Sequence, residues 1–259
     1  MASLRNTTIL VTRPREQSAE LAEMLEPIGF SVLFQPAIEI LPPDDWTDVD
    51  DCIARLEEFD WIVFSSGNGV RMFMQRCEEK IPDTARRAAL FSQLQFAAVG
   101  PGTASGLETL CGIRVDLIPE EYRAESLAEA LAPTAAGKRF LLIRANRGRE
   151  ILAEQLKASG AAEVRQVAAY QSRDITQPDP QIVRMFDEKS IDWVAVTSSS
   201  IAGSLINLFG EKIRSARFAA ISPITAEKLR SVGIEPSVIA EQHDMPGLAD
   251  AVRTAELSE

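Results

Sequence analysis

The chain has 259 residues, 46% of them hydrophobic, and a formal net charge of −11. That length and apolar content suit one large or two ordinary domains with real cores, and the acidic balance excludes the basic footprint of a nucleic-acid binder. No stretch approaches the roughly 18 apolar residues of a membrane helix, and three scattered cysteines with a single histidine leave no metal-like or Ser/His/Asp-like set.

Nothing before Ile9 reads as a secretory signal, so a cytoplasmic protein is expected. Ile9 to Thr12 is a short, continuously apolar run, the mark of a strand buried on both faces. Leu21, Met24, Leu25 and Ile28 follow at helical spacing, and Gly29 closes that helix. The next strand ends near Ile38, where Pro42-Pro43 interrupts the chain. Trp61 to Phe64, Phe96 to Val99 and Arg114 to Ile118 read as three further strands. Phe140 to Ile143 starts another strand-helix-strand unit, whose helix, Ile151 to Ser159, is closed by Gly160. Trp193 to Val196 and Phe218 to Ile221 open a last three-strand unit. Thr254 to Glu259 is polar and reads as a frayed tail.

The chain contains itself twice. Asp60-Trp61-Ile62-Val63-Phe64-Ser65-Ser66 returns as Asp192-Trp193-Val194-Ala195-Val196-Thr197-Ser198, and Phe96-Ala97-Ala98-Val99-Gly100-Pro101 as Phe218-Ala219-Ala220-Ile221-Ser222-Pro223. Ile9-Leu10-Val11-Thr12-Arg13 is echoed by Phe140-Leu141-Leu142-Ile143-Arg144. The period is too long for a solenoid, so this is a duplicated domain. Buried strands alternating with helices predict an α/β chain of two similar doubly wound, flavodoxin/Rossmann-like parallel-sheet domains, with a cleft between them for a small ligand. The domains could be sequential or nested; Pro42-Pro43, placed as a linker would be, leans toward nesting.

Ligands of doubly wound sheets bind beyond the carboxyl ends of the strands. The candidates there are Thr12, Arg13, Ser65, Ser66, Asn68, Gly100, Thr103, Arg144, Arg149, Thr197, Ser198, Ser199, Ser222 and Thr225. Each lies in a loop leading into a helix, where free N–H groups and hydroxyls attract anions; the same residue types also serve as plain helix caps. Six such loops suggest a ligand with several carboxylates or phosphates. Arg13, Arg15, Arg144, Arg147 and Arg149 read either as solvated surface or as a basic rim, which screening over about 8 Å insulates from the net charge. Gly100-Pro101-Gly102 with Gly106 mimics a dinucleotide fingerprint but lacks its acidic partner at the end of the next strand. His243 and Tyr122 fall in loops, Trp61 and Trp193 in core strands, and Tyr170 at the second strand-helix-strand junction, where packing and hinge roles are both open.

The ordered set Val11-Thr12-Arg13-Pro14, Ser65-Ser66-Gly67-Asn68-Gly69-Val70, Ala98-Val99-Gly100 with Thr103-Ala104, Ile143-Arg144 with Gly148-Arg149, Tyr170-Gln171-Ser172, Val196-Thr197-Ser198 and Ile224-Thr225-Ala226 resembles the uroporphyrinogen-III synthase family along nearly the whole chain. The chain departs from the family at Ala145 and Ser222, often Gly there, and at Ser172, commonly Thr. The resemblance implies nesting: a discontinuous domain of residues 1–38 plus 173–259 and an inserted domain of residues 43–168, joined by a two-stranded linker at 39–42 and 169–172. It implies no cofactor, hydroxymethylbilane as the small-molecule substrate, Tyr170 as the catalytic acid, and substrate binding by the loop residues above. A monomer making transient contact with the preceding or following tetrapyrrole-pathway enzyme is expected. The rival readings are a non-catalytic two-domain sensor of an anionic small molecule and a dinucleotide-dependent oxidoreductase.

Overall fold

A computed structural model describes residues 7–148 and 150–258. In chain order the elements begin with β1 (Thr7–Val11), α1 (Ala19–Leu25), β2 (Phe30–Phe34), β3 (Ile38–Leu41) and α2 (Thr47–Ala54). Next come β4 (Trp61–Phe64), α3 (Gly67–Lys80), α4 (Thr84–Phe91), β5 (Gln95–Ala98), α5 (Pro101–Cys111) and α6 (Ala124–Leu131). After β6 (Arg139–Ala145), α7 (Ile151–Ala158) and β7 (Glu163–Asp174), the chain continues through α8 (Pro180–Asp187), β8 (Trp193–Val196) and α9 (Ser199–Phe209). It finishes with β9 (Arg217–Ala220), α10 (Pro223–Ser231), β10 (Val238–Ile239) and α11 (Met245–Leu257).

These elements form two compact units, one of residues 1–39 and 173–259, the other of residues 40–172. The sheet of the first has the order β10-β9-β8-β1-β2, and that of the second β3-β7-β6-β4-β5. The ladders β1–β2, β1–β8, β8–β9, β9–β10, β4–β5, β4–β6 and β6–β7 are parallel. The repeat read from the sequence is also a repeat of register. Trp193 pairs with Ile9 on one side and Arg217 on the other; Trp61 pairs with Phe140 and Gln95, the corresponding residues.

Both faces of each sheet are covered, which is why the strands are continuously apolar. In the second unit Ile62, Phe64, Leu141 and Ile143 pack with Val49, Val70, Phe73 and Leu107 on one face. Trp61, Val63, Phe140 and Leu142 pack with Leu127, Leu131, Leu152 and Leu156 on the other. In the first unit Ile9, Val11, Trp193 and Ala195 meet Leu21, Leu25, Leu248 and Val252. Gly29 and Gly160 follow their helices in the left-handed region (φ 104° and 86°), as their closing positions require.

Residues 39–41 run in β3, and residues 169–172 lie inside the 12-residue strand β7. Tyr170 stands on β7. Within the tail α11 continues to Leu257, Glu259 lying outside the described residues, and Glu256 accepts from Thr7 Oγ1 (2.8 Å), Trp193 Nε1 (2.8 Å) and Arg217 Nη2 (2.5 Å). The expectation of fraying fails because this carboxylate is bound by three strands. No helix among the described residues is long and apolar enough to cross a membrane.

Candidate active site

The carboxyl edge of the second unit's sheet holds a cavity of about 230 Å³. Ser65 borders it from the end of β4, Arg144, Arg147 and Gly148 from β6 and its loop, and Gln166 and Tyr170 from β7. Val63, Leu142 and Leu152 give it an apolar wall.

Tyr170 is buried, and its hydroxyl lies 2.8 Å from Ser66 Oγ. Ser66 caps α3, accepting from Gly69 N at 3.1 Å, so the helix start fixes the hydroxyl that meets the phenol. Burial raises the phenol's pKa above its usual 10; the Ser66 hydrogen bond and the positive charge of Arg147 work the other way. A neutral phenol with one fixed partner is a proton donor at neutral pH.

Arg144, on β6, is committed to partners on the following loop and on β7. Its Nη1 donates to Gln166 Oε1 (2.8 Å) and to Glu150 Oε1, and its Nη2 to Gly148 O (2.6 Å). Ser65 Oγ donates to Ile143 O (3.2 Å), and Asn68 lies in the first turn of α3. Gly100 caps α5 by backbone alone; a Cβ there would stand 3.1 Å from Tyr122 Cβ, so the bare backbone is what lets Tyr122 lie against it. Thr103, in the first turn of α5, is buried. Arg149 lies outside the described residues.

The remaining candidates stand at the carboxyl edge of the first unit's sheet. Thr12 is fully buried and donates to Ala195 O (2.6 Å), so its hydroxyl ties β1 to β8. Arg13 is partly buried and donates to Met245 Sδ (2.8 Å) and Gln17 Oε1 (3.4 Å). Ser198 caps α9 by accepting from Ile201 N (3.3 Å), with exposed Ser199 behind it and Thr197 before it. Ser222 caps α10 by accepting from the backbone N of buried Thr225 (3.3 Å). The structure thus brings Ser65, Ser66, Arg144 and Tyr170 together, while the hydroxyls of Thr12, Thr103 and Thr225 belong to buried residues.

Sequence reasoning passed over Gln166 and undervalued Asn146, Arg147 and Ser172. The available signal was a polar residue, Gln166, inside a buried strand, and a hydroxyl two positions after Tyr170 on the same strand face.

The model of the family "Uroporphyrinogen-III synthase HemD" matches residues 19–250. The chain is 31% identical over 257 residues to the uroporphyrinogen-III synthase of Synechococcus elongatus, covering 95% of this chain and 94% of that protein. It is 30% identical over 252 residues to that of Chlorobaculum parvum (96% and 98% covered) and 27% over 253 residues to that of Escherichia coli (95% and 100%). Among solved structures, a mutant uroporphyrinogen III synthase from Thermus thermophilus superposes with a TM-score of 0.68 at 17% identity, covering 98% of this chain and all of that one. The Helicobacter pylori protein gives 0.61 at 17% identity, with 97% and 100% covered. At that identity the structures speak for the fold.

Proposed function

Because the chain belongs to the uroporphyrinogen-III synthase family, we propose that it closes linear hydroxymethylbilane into uroporphyrinogen III, losing water and inverting the last pyrrole ring through a spiro intermediate. The observation that carries this reading is the family match across residues 19–250.

Left alone, the activated bilane cyclises without inversion, so the enzyme's main work is geometric. Fixing the substrate's carboxylate arms converts a flexible chain into one near-attack shape, which is worth several kcal/mol. Cap hydroxyls and helix N-termini at Ser66, Ser198 and Ser222, with Arg13 and Arg144, are the groups proposed to hold those arms. The pyrrole nitrogen pushes the hydroxyl out, and Tyr170 gives its proton to the leaving oxygen, which departs as water. Tyr170 suits this role because its phenol is buried, neutral and held by Ser66. No cofactor enters these steps.

With this reading go a cytoplasmic monomer that exchanges substrate or product with neighbouring tetrapyrrole enzymes, and a division into residues 1–38 plus 173–259, residues 43–168, and linkers at 39–42 and 169–172. The compact units found in the contacts support that division. The test is to incubate the protein with freshly made hydroxymethylbilane and resolve the porphyrin isomers after oxidation. Type III porphyrin is expected. The type I isomer alone, or substrate bound and released unaltered, would retire the proposal.

A further inference from the structure

Tyr170 is held by more than its own strand. Three hydrogen bonds clip the loop after β6 onto β7 around it: Asn146 N donates to Tyr170 O (2.9 Å), Ser172 N to Asn146 Oδ1 (3.0 Å), and Arg147 Nη2 to Ser172 Oγ (2.9 Å). The β6–β7 ladder slips between Arg144 and Ala145, so that Ala145 pairs with Tyr170 while Arg144 pairs with Ala168. Such an irregularity re-aims the side chains beyond it. Residues 170 and 172 lie on the same face of β7, so the Ser172 hydroxyl moors Arg147 on the phenol's side. Arg147 and Tyr170 border the same cavity.

We propose that Arg147 is a positioning residue whose guanidinium, moored by Ser172, steadies the phenolate left when Tyr170 gives up its proton. The inference rests on the acid role of Tyr170 given above. In that step the Tyr170 O–H bond breaks, the proton goes to the hydroxymethyl oxygen, the C–O bond breaks and water leaves. The pyrrole nitrogen's electron pair fills the carbon, and the phenolate remains until ring closure returns a proton.

Arg147 brings a positive charge to bear on the phenol. From the β6 side the cavity also meets Arg144, whose charge is met by Glu150. From β7 it meets neutral Gln166, from the start of α6 uncharged Ala124, and from β4 Ser65. The start of α3 contributes the Ser66 hydroxyl. Arg147's field opposes the effect of burial on the phenol.

The chain has two tyrosines, Tyr122 and Tyr170, so tyrosine ring-carbon NMR resolves both and Tyr122→Phe assigns them. In Arg147→Gln the Tyr170 titration midpoint is expected to rise by about half a pH unit, the size of effect left to a charge partly in water. Turnover should fall roughly two- to fivefold with KM little changed. Arg147→Lys restores most of both. Ser172→Ala moves both in the same direction by less, and Ser172→Thr restores them. A midpoint unmoved in both Arg147→Gln and Ser172→Ala overturns the inference, even beside a slow Tyr170→Phe variant. Conversely, a shifted midpoint beside full turnover in Tyr170→Phe keeps the coupling of the two side chains and removes the acid role.

Discussion

The two units share one frame and part company at the strand ends. In the first, β2 stops at Phe34, and Gln35-Pro36 follows; proline has no N–H to offer a ladder. In the second, the equivalent strand β7 continues through Ala168 to Asp174 and so carries Tyr170 to the carboxyl edge. The paired caps diverge in the same sense. Ser66 and Ser198 each accept from the backbone three residues on, but Ser66 Oγ also meets the Tyr170 hydroxyl, whereas Ser198 Oγ meets Ser200 Oγ at 3.0 Å. The helix start occurs twice, and the longer strand places a tyrosine hydroxyl beside one of the two.

The largest expected effect tests that asymmetry. Tyr170→Phe should lower turnover by about 100-fold, the low end of what a general acid contributes, with melting little changed because the ring stays packed. Ser66→Ala and Ser198→Ala should each cost about 1 kcal/mol of stability as lost caps, but Ser66→Ala should slow turnover more, because it also removes the partner of the Tyr170 hydroxyl. Equal slowing by the two serine variants would break the comparison between the units.

The amino ends of the sheets differ too. Trp193 Nε1 donates to Glu256, and Arg217 stacks over the indole at 4.3 Å. Its twin, Trp61, stacks on Phe140 (6.3 Å between centroids), with its Nε1 buried and unpartnered among the described residues. Trp193→Phe should therefore destabilise by about 1–2 kcal/mol more than Trp61→Phe, because it leaves a mostly buried carboxylate short of a donor. Equal losses in denaturant melts would sink this reading. Glu256 adds a pH dependence. Burial alone would raise its pKa, but hydrogen bonds from Trp193 and Thr7 and the charge of Arg217 hold it below the usual carboxylate value. A depressed carboxyl contributes stability that is full above its unfolded pKa of about 4.3 and is lost as pH falls through the folded value. Between pH 7 and 3 the parent chain should lose a stability increment that Glu256→Gln lacks at every pH.

What was legible from residues follows the physics of burial. Trp61 to Phe64 and Trp193 to Val196 are strands at the boundaries read from their apolar runs, since a strand covered on both faces tolerates nothing else. The length of β7 was hidden because Gln166, Tyr170 and Ser172 are polar or amphipathic, and read like a junction until their partners across β6 are known. Glu256 looked like tail because its partners Thr7, Trp193 and Arg217 lie 249, 63 and 39 residues away in sequence. Thr12 passed for a ligand donor because sequence does not say which way a hydroxyl faces; here it faces Ala195 O.

The smallest effect concerns the arginines at matching strand ends. Arg144 is met by the Glu150 carboxylate and by Gln166, so an incoming substrate carboxylate must displace a partner already in place. Arg13 makes no ion pair among the described residues; it leans on Met245 Sδ and Gln17, and burial pulls its pKa below the usual arginine value, against the field of Glu20. A partly buried cation without a bonded anion gains more from a ligand carboxylate than one already neutralised. Arg13→Gln should therefore raise KM several-fold, by about 1 kcal/mol of binding, and Arg144→Gln by less, with turnover nearly constant in both. Glu150→Gln sharpens the contrast, because freeing Arg144 should lower KM and make a second Arg144→Gln change costlier than in the parent chain. If Arg144→Gln proves the more damaging in the parent, Glu150 does not compete with substrate and the two strand ends are not doing different work.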